Sequence, residues 1–367
     1  MPAHHLDRQG CADSPAGRAD RAVRVGTVCR ATTADIELAV LTVLSGTPLA
    51  TAAAHIGMTH AFLADAVALY KAAGHAALVT QAASDGWFQV HIEFANWGSA
   101  ENDVAAHLWP GLRTAQTDGT VSSWWYIRKA PCWRLRFRPG AAGPAVVKQF
   151  VISMLEELTR RSLVARWWQS IYEPESCAFG GSVGMATAHQ LFHADSTSIL
   201  EYLAGTAAST SARADIGRRE LSILLCSALL RAANQDWHEQ GDVWHRVTQM
   251  RPFPPGVPGD RLHSLTNQVR RLVSLDTSQS RLRVHVDAPL AFARAWLAAF
   301  THAGHTLGAA AHDGTLHRGV RDILAHHVIF HWNRLGLATR TQGVLARAAF
   351  EAMLNPSGGA GTDVATT

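Results

Sequence analysis

Charge is sparse in this 367-residue sequence: Asp, Glu, Lys and Arg together make up 17%, and the formal net charge is only +4. Phosphate-binding chains gather Lys and Arg into a dense stripe, so this balance gives no reason to expect a nucleic acid partner. Cysteine is scarcer still. Cys11, Cys29, Cys132, Cys177 and Cys226 are odd in number, far apart and without a C-x-x-C pair, which argues against a disulfide framework or a zinc cassette. No apolar run reaches the roughly 18 residues that mark a membrane helix, and residues 1–31 lack the apolar core of a secretory signal. The cytoplasm is therefore the expected compartment, with no membrane partner. There is no P-loop, G-x-G-x-x-G, H-E-x-x-H or G-x-S-x-G. Chemistry is thus expected to rest on side chains alone, without metal or organic cofactor.

What is present is apolar: 47% of the residues are hydrophobic, enough for a large core shared among two or three domains. Residues 1–31 have no apolar period and read as a flexible arm; 355–367, rich in Gly and Thr, read as a disordered tail. Residues 35–80 read as a small helical segment. One helix is capped at Asp35 and stopped by Gly46, a second runs from Leu49 to His55, and a third from Thr59 to Ala73. Three short helices around a tight turn suggest a helix-turn-helix. The last of them offers Lys71 as its one cation and carries Asp65, too little for phosphate contact. A platform for docking a peptide, or for packing on the rest of the chain, is the better reading.

The main domain is expected over residues 87–345. It opens with a strand over 87–94 and a helix ending near Pro110. A hairpin turning at Ala130-Pro131 follows, in which Arg134, Arg136 and Arg138 share one face and Trp133, Leu135 and Phe137 the other. An amphipathic helix over 144–163 turns Val147, Phe150, Val151, Met154, Leu155 and Leu158 inward. After a strand beginning at Val164, a helix is expected from Val183 to His193. A second helix starts at Ala194, where Ser198 and Glu201 have capping-box spacing; Asp195 and Ser196 would then be cap residues. Residues 205–217 read as a polar linker. A helical stretch that Gly241 can interrupt, a proline loop over 252–258, a helix with Leu262, Leu265, Val269 and Leu272 inward and Gln268 at its edge, and a last helical pair complete the fold.

The most unusual stretch runs from Arg318 to Leu337. At about 100° per residue, His327, His331 and Arg334 fall on one face with Val320, Ile323, Leu324 and Leu335, while Ala325, Ile329 and Trp332 form an opposite apolar stripe. A helix apolar on both sides is buried. Its titratable groups then either find partners in the core or line a wet cavity. His327 and His331 are spaced as helical zinc ligands can be, but Val328, Ile329 and Phe330 between them include no carboxylate, so a metal is not expected.

Several segments together resemble a family: WWYIRKAPCWRLRFRP, YEPESCAFGG, the LFHADS run and FHWNRLG are similar to the small C-terminal domain of class I lanthipeptide dehydratases, which also occurs free-standing in thiopeptide biosynthesis. The resemblance covers about residues 87–340, and DIELAVLTVLSGTP is similar to the helical leader segment of the free-standing forms. It implies an α+β fold with a mixed or antiparallel sheet and packed helices, behind a small N-terminal helical segment. It also implies one of two reactions on a modified ribosomal precursor peptide that carries a leader, other enzymes of the pathway being further candidate partners. The dehydratase domains eliminate glutamate from glutamylated Ser and Thr; the pyridine synthases join two dehydroalanines by a formal [4+2] aza-cycloaddition, with loss of water and leader. The eliminating domains resemble P-H-L-R-L-R-F, Y-x-x-E-x-x-R-Y-G-G and H-M-x-x-N-R. Here Cys132 stands for the first His, Ala178 and Phe179 for the Arg-Tyr, and Ile329 for the last His. Arg134 and Arg136 remain, so the departures favour cycloaddition.

On that reading Tyr172, His193, Ser196 and Gln268 are candidate donors and acceptors at the reacting amide, with His331 and Arg334 on a helical wall. Trp124, Arg128, Arg134, Arg136, Asp195, His327 and Asn333 are candidate substrate contacts. Trp124, Trp125 and Trp133 could offer a flat surface to a thiazole-rich peptide, or belong to the core. Leader docking is expected on the helices of Asp35 to Leu78 together with the Arg-bearing strand. For each residue a cap, a core hydrogen bond or packing is an equal alternative. A glutamate-eliminating lyase and a non-catalytic binding module remain the competing classes.

Overall fold

A computed structural model describes residues 31–84, 86–208, 216–275 and 290–354. The expected arm, apart from residue 31, and the expected tail lie outside the described residues, as does 209–215 of the expected linker. The chain divides into two units, Met1–Ala73 and Gly74–Thr367. Among the described residues no single helix is long and apolar enough to cross a membrane.

In the first unit, α1 (Thr33–Leu44) and α2 (Leu49–His55) join the start of α3 (His60–Ser84) around Ala39, Val40, Ala52, Ala53, Leu63 and Val67. The cap of α1 is Thr32 rather than Asp35. Thr32 Oγ1 accepts from the Asp35 amide while the Asp35 carboxylate accepts from the Thr32 amide, a reciprocal capping box. α3 does not stop before Gly74. An isolated glycine costs a helix only about 1 kcal/mol relative to alanine, and the Ala-rich sequence on both sides carries the helix to Ser84.

The second unit is built on an antiparallel sheet, order β2-β3-β1-β4, from β1 (Phe88–Phe94), β2 (Val121–Lys129), β3 (Cys132–Pro139) and β4 (Val164–Ser170). The register sets Arg136 between Trp125 and Gln89, and Arg134 between Ile127 and His91. Trp133, Leu135 and Phe137 point into the core from the other face, as the alternation predicts. Between β1 and β2 the helix passes Pro110 instead of ending there. α4 (Ala100–Asp103) and α5 (Trp109–Thr117) are joined by a π turn over Val104–Leu108, which places Pro110 in the first turn of α5, where a missing N–H is harmless. α6 (Pro144–Arg160) buries Val147, Val151, Leu155 and Leu158.

α7 (Ser182–Ala208) is a single helix, so Asp195 and Ser196 are interior positions and not caps. Their side chains are engaged by groups distant in sequence, which removes the local competition for backbone that makes Asp and Ser helix starters. β2 ends the sheet, and α7 meets its outer edge: the Ser196 hydroxyl accepts from the Tyr126 amide at 3.3 Å, and His193 Nδ1 donates to the Trp124 carbonyl at 2.8 Å. Polar groups that would otherwise invite another strand are satisfied by side chains.

α8 (Arg218–Ala232) and α9 (Trp237–Met250) break not at Gly241 but at Ala233–Gln235, before a capping box of Asp236 and Glu239. α10 (Gly259–Val273) follows the proline loop, then α11 (Arg294–His312) and α12 (Val320–Leu335). A last helix, α13 (Thr339–Leu354), is not foreseen in the sequence; it packs on α9 and α10. α12 ends in left-handed Gly336, φ 77°, where any β-carbon would collide with Arg128 and Glu101.

Candidate active site

Two clusters of buried titratable side chains stand out among the described residues of the second unit. The first is a closed hub beneath α12. Asp195 Oδ1 accepts from Trp296 Nε1 at 2.8 Å and from His331 Nδ1 at 2.9 Å, and its Oδ2 accepts from Arg334 Nε at 2.7 Å. Asp195, His331 and Arg334 have no exposed surface. Burial raises the Asp195 pKa, but His331 and Arg334 outweigh it and hold the carboxyl below its ordinary value. His327, one turn back, lies against Phe179 and Phe192; burial first and Arg334 second push it down to about 3, so its ring is neutral. The hub joins α7, α11 and α12 through one carboxylate. It is enclosed, and a peptide could not reach it without opening the core.

The second cluster lies on the arginine-bearing face of the sheet. The Arg136 guanidinium sits 4.0 Å from the Trp125 ring centre and 5.0 Å from that of Tyr172, is 3% exposed, and has no hydrogen-bond partner for Nε or Nη1 among the described residues. Burial lowers its pKa to about 10, with Glu175 acting in the opposite sense; it stays charged at neutral pH. The Tyr172 hydroxyl is 2.8 Å from His189 Nε2. Burial, then Arg136 and Arg138, depress His189 to about 4, whereas burial and Glu175 raise the Tyr172 pKa. At pH 7 the imidazole is neutral and the phenol protonated, so Tyr172 donates to His189 Nε2 and the ring proton sits on Nδ1. The Trp87 ring lies tilted against His189, centres 4.7 Å apart. Towards solvent the face continues through half-buried Arg134 and His91, the latter stacked on Trp168 at 4.9 Å. One ladder of rings connects the two clusters: Arg334 over Phe192 at 4.3 Å, Phe192 to Trp125 at 4.6 Å, Trp125 to Arg136 at 4.0 Å.

Of the residues expected from sequence, Tyr172, Arg134 and Arg136 meet on this face. Asp195, His331 and Arg334 form the hub, with His327 beside them. His193 and Ser196 serve the edge of β2, and Trp124 is fully buried, its Nε1 donating to Gln116 Oε1. Arg128 pairs with Glu101, which also holds Arg218 at 2.7 Å. Asn333 accepts from Gln342 Nε2, and Gln268 lines a separate cavity with Arg219, Arg261 and Arg340. His189, His91, Glu175 and Trp87 are not among the residues the sequence singles out. His189 lies one helical turn before His193 within the helix expected over Val183–His193, but only the packing of that helix beside the sheet brings it to Tyr172. Among the described residues no three His, Cys, Asp or Glu side chains converge as metal ligands would.

The family described as lantibiotic biosynthesis dehydratase C-term matches residues 87–353. The chain belongs to this family. The tRNA-dependent lantibiotic dehydratase MibB from Microbispora sp. 107891 is similar in fold, with 18% identity and a TM-score of 0.55. The match covers 73% of this chain and 28% of the dehydratase, so the chain spans little more than a quarter of that protein. TsrL (17% identity, TM-score 0.49, 72% of this chain and 94% of that one) and the pyridine synthase TbtD from thiomuracin biosynthesis (12%, 0.47, 73% and 97%) are further structural neighbours. No curated protein matches the chain. Arg134 and Arg136 stand on β3. Ala178, Ile329 and the neighbouring Phe179 and Phe330 pack into the apolar core.

Proposed function

We propose that the chain is a peptide-modifying enzyme of the pyridine synthase type, joining two dehydroalanines of a ribosomal precursor peptide by a formal [4+2] aza-cycloaddition. The observation that carries this reading is the composition of the sheet-face cluster: one nearly dry guanidinium with open N–H groups, a neutral tyrosine–histidine pair, and aromatic walls. The reaction is redox-neutral. An amide proton moves from nitrogen to oxygen to make the aza-diene. Two C–C bonds form, one between the two dehydroalanine CH2 carbons and one between the former amide carbon and the other α-carbon. Loss of water then breaks the C–O bond, and loss of the leader amide breaks that α-carbon's C–N bond.

Arg136 is suited to hold the reacting carbonyl oxygen as negative charge gathers on it. Tyr172, relayed to His189, can give and take the proton that amide tautomerisation and water loss require. Trp125, fully buried, backs the Arg136 guanidinium, and half-buried Trp87 supplies flat apolar surface against which unsaturated side chains can be held, where effective molarity does most of the work. Asp195, His331 and Arg334 hold the site from behind through Phe192.

A second reading, glutamate elimination, is favoured by Arg134 and Arg136 standing two apart on one face, a spacing able to clamp a departing carboxylate. The two are separated by offering the protein a dehydroalanine-containing thiazolyl peptide and, in parallel, a glutamylated one. Ring formation with loss of leader from the first supports cyclisation. Loss of glutamate from the second replaces it with elimination, and no change in either leaves a non-catalytic binding module.

A further inference from the structure

Remote from the sheet face, α8, α10 and α13 enclose a cavity of about 570 Å³ lined by Val257, Leu265, Val344 and Leu345 on its floor and by Arg219, Arg261 and Arg340 on its rim. A second cavity of about 420 Å³ shares Arg219 and Thr341 with it, so the two form one groove. All three arginines are exposed, on three different helices, and none has a carboxylate partner among the described residues; Arg340 donates only to the Pro255 carbonyl. Against them the lining of the groove sets two carboxylates, Asp260 in the first cavity and Glu220 in the second. Other guanidiniums of this unit are taken up in ion pairs, as Arg218 with Glu101, Arg246 with Asp242 and Arg347 with Glu351. Here three exposed guanidiniums from three helices instead border one apolar floor.

We infer that this groove binds an acidic peptide segment in which carboxylates alternate with aliphatic side chains, the carboxylates meeting Arg219, Arg261 and Arg340 and the aliphatic groups the Val257–Leu265–Val344 floor. The inference rests on the reading that the chain works on a peptide, and it adds an anchoring point distinct from the reacting residues. Guanidiniums bind carboxylates in two-point contacts. The apolar floor argues for peptide over a free anion, which gains nothing from it. Gln268 and Ser264, also on the lining, can bond the backbone of an extended segment.

Fluorescence anisotropy with a short labelled peptide alternating Glu and Leu tests this directly, using the full-length protein. Saturable binding is expected, weakened by salt and by at least about tenfold in Arg219→Glu/Arg261→Glu, because reversing two rim charges sets like against like. Should that variant melt well below the wild type, Arg219→Ala/Arg261→Ala replaces it, with weaker binding again expected. Equal affinity for a Lys–Leu counterpart, indifference to either double variant, or displacement by inorganic phosphate or single-stranded RNA at lower concentration than by unlabelled peptide would overturn the inference. The readout needs no turnover. A protein that binds the acidic peptide through these arginines but leaves dehydroalanine peptides unchanged would sink the proposed reaction and spare the groove; one that cyclises while ignoring the acidic peptide would do the reverse.

Discussion

Arg136 keeps its charge in a nearly dry position, stacked on Trp125 and short of hydrogen-bond partners, a state that becomes favourable when a ligand oxygen completes it. Arg136→Ala should therefore lower turnover by roughly a hundredfold or more, the scale for losing a positioned polar group. Arg138→Ala, on an exposed side chain, should change it little; equal losses in steady-state rate would reduce the arginines to a diffuse field. The acid limb of the pH profile follows from His189. A base whose pKa is depressed to about 4 stays unprotonated, and active, through the mildly acidic range and is silenced as the pH falls through about 4. A kcat/KM profile with its acid limb near 4 is expected. A limb near 6.5, the ordinary value for histidine, would assign the proton to a more exposed imidazole.

At the level of elements, α7 does two things at once: one side closes the edge of β2 through His193 and Ser196, and the same helix carries His189, Phe192 and Asp195. Ser196→Ala leaves the Tyr126 amide without its acceptor and should cost about 1–3 kcal/mol by denaturant unfolding, with activity per folded molecule retained. An unchanged midpoint would mean that another group covers that edge. Much of this organisation was legible in sequence where the signal is local. The alternation of Arg134 and Arg136 with Trp133 and Leu135 gives the hairpin and its two faces, and Leu49–His55 is delimited by Pro48 and Gly57. The signals that misled were local as well. Asp195, Ser196, Ser198 and Glu201 have the composition of a helix start, but Trp296, His331 and Arg334 from distant elements claim Asp195, so the helix runs on. The Tyr172–His189 pair depends on how α7 is laid beside the sheet, which no spacing along the chain states.

Across the whole unit, the Asp195 hub is the place where α7, α11 and α12 depend on one another, and its groups gain only when all are present. A buried ion pair is weak evidence of net stability, yet removing one partner strands the rest. His331→Phe should keep the fold but lower unfolding free energy by about 1–3 kcal/mol, with single-turnover rate per folded molecule unchanged. A stable but inactive variant would return His331 to the catalytic wall that its helical face suggests. The sequence shows this helix as buried on both sides; it could not show that His331 faces a carboxylate, and His327 two aromatic rings, rather than a cavity.

Intact-mass spectrometry of a single turnover tests the central claim most directly, with wild type and Tyr172→Phe each mixed in excess with a dehydroalanine-bearing, leader-carrying thiazolyl peptide. The wild type should convert the peptide to a product lighter by water and the leader. Tyr172→Phe, which removes one hydroxyl from the proton relay, should do so at least about a hundredfold more slowly while melting within a few degrees of the wild type. Undiminished conversion by Tyr172→Phe would contradict the account, as would a wild type that leaves this peptide intact and instead strips glutamate from a glutamylated one.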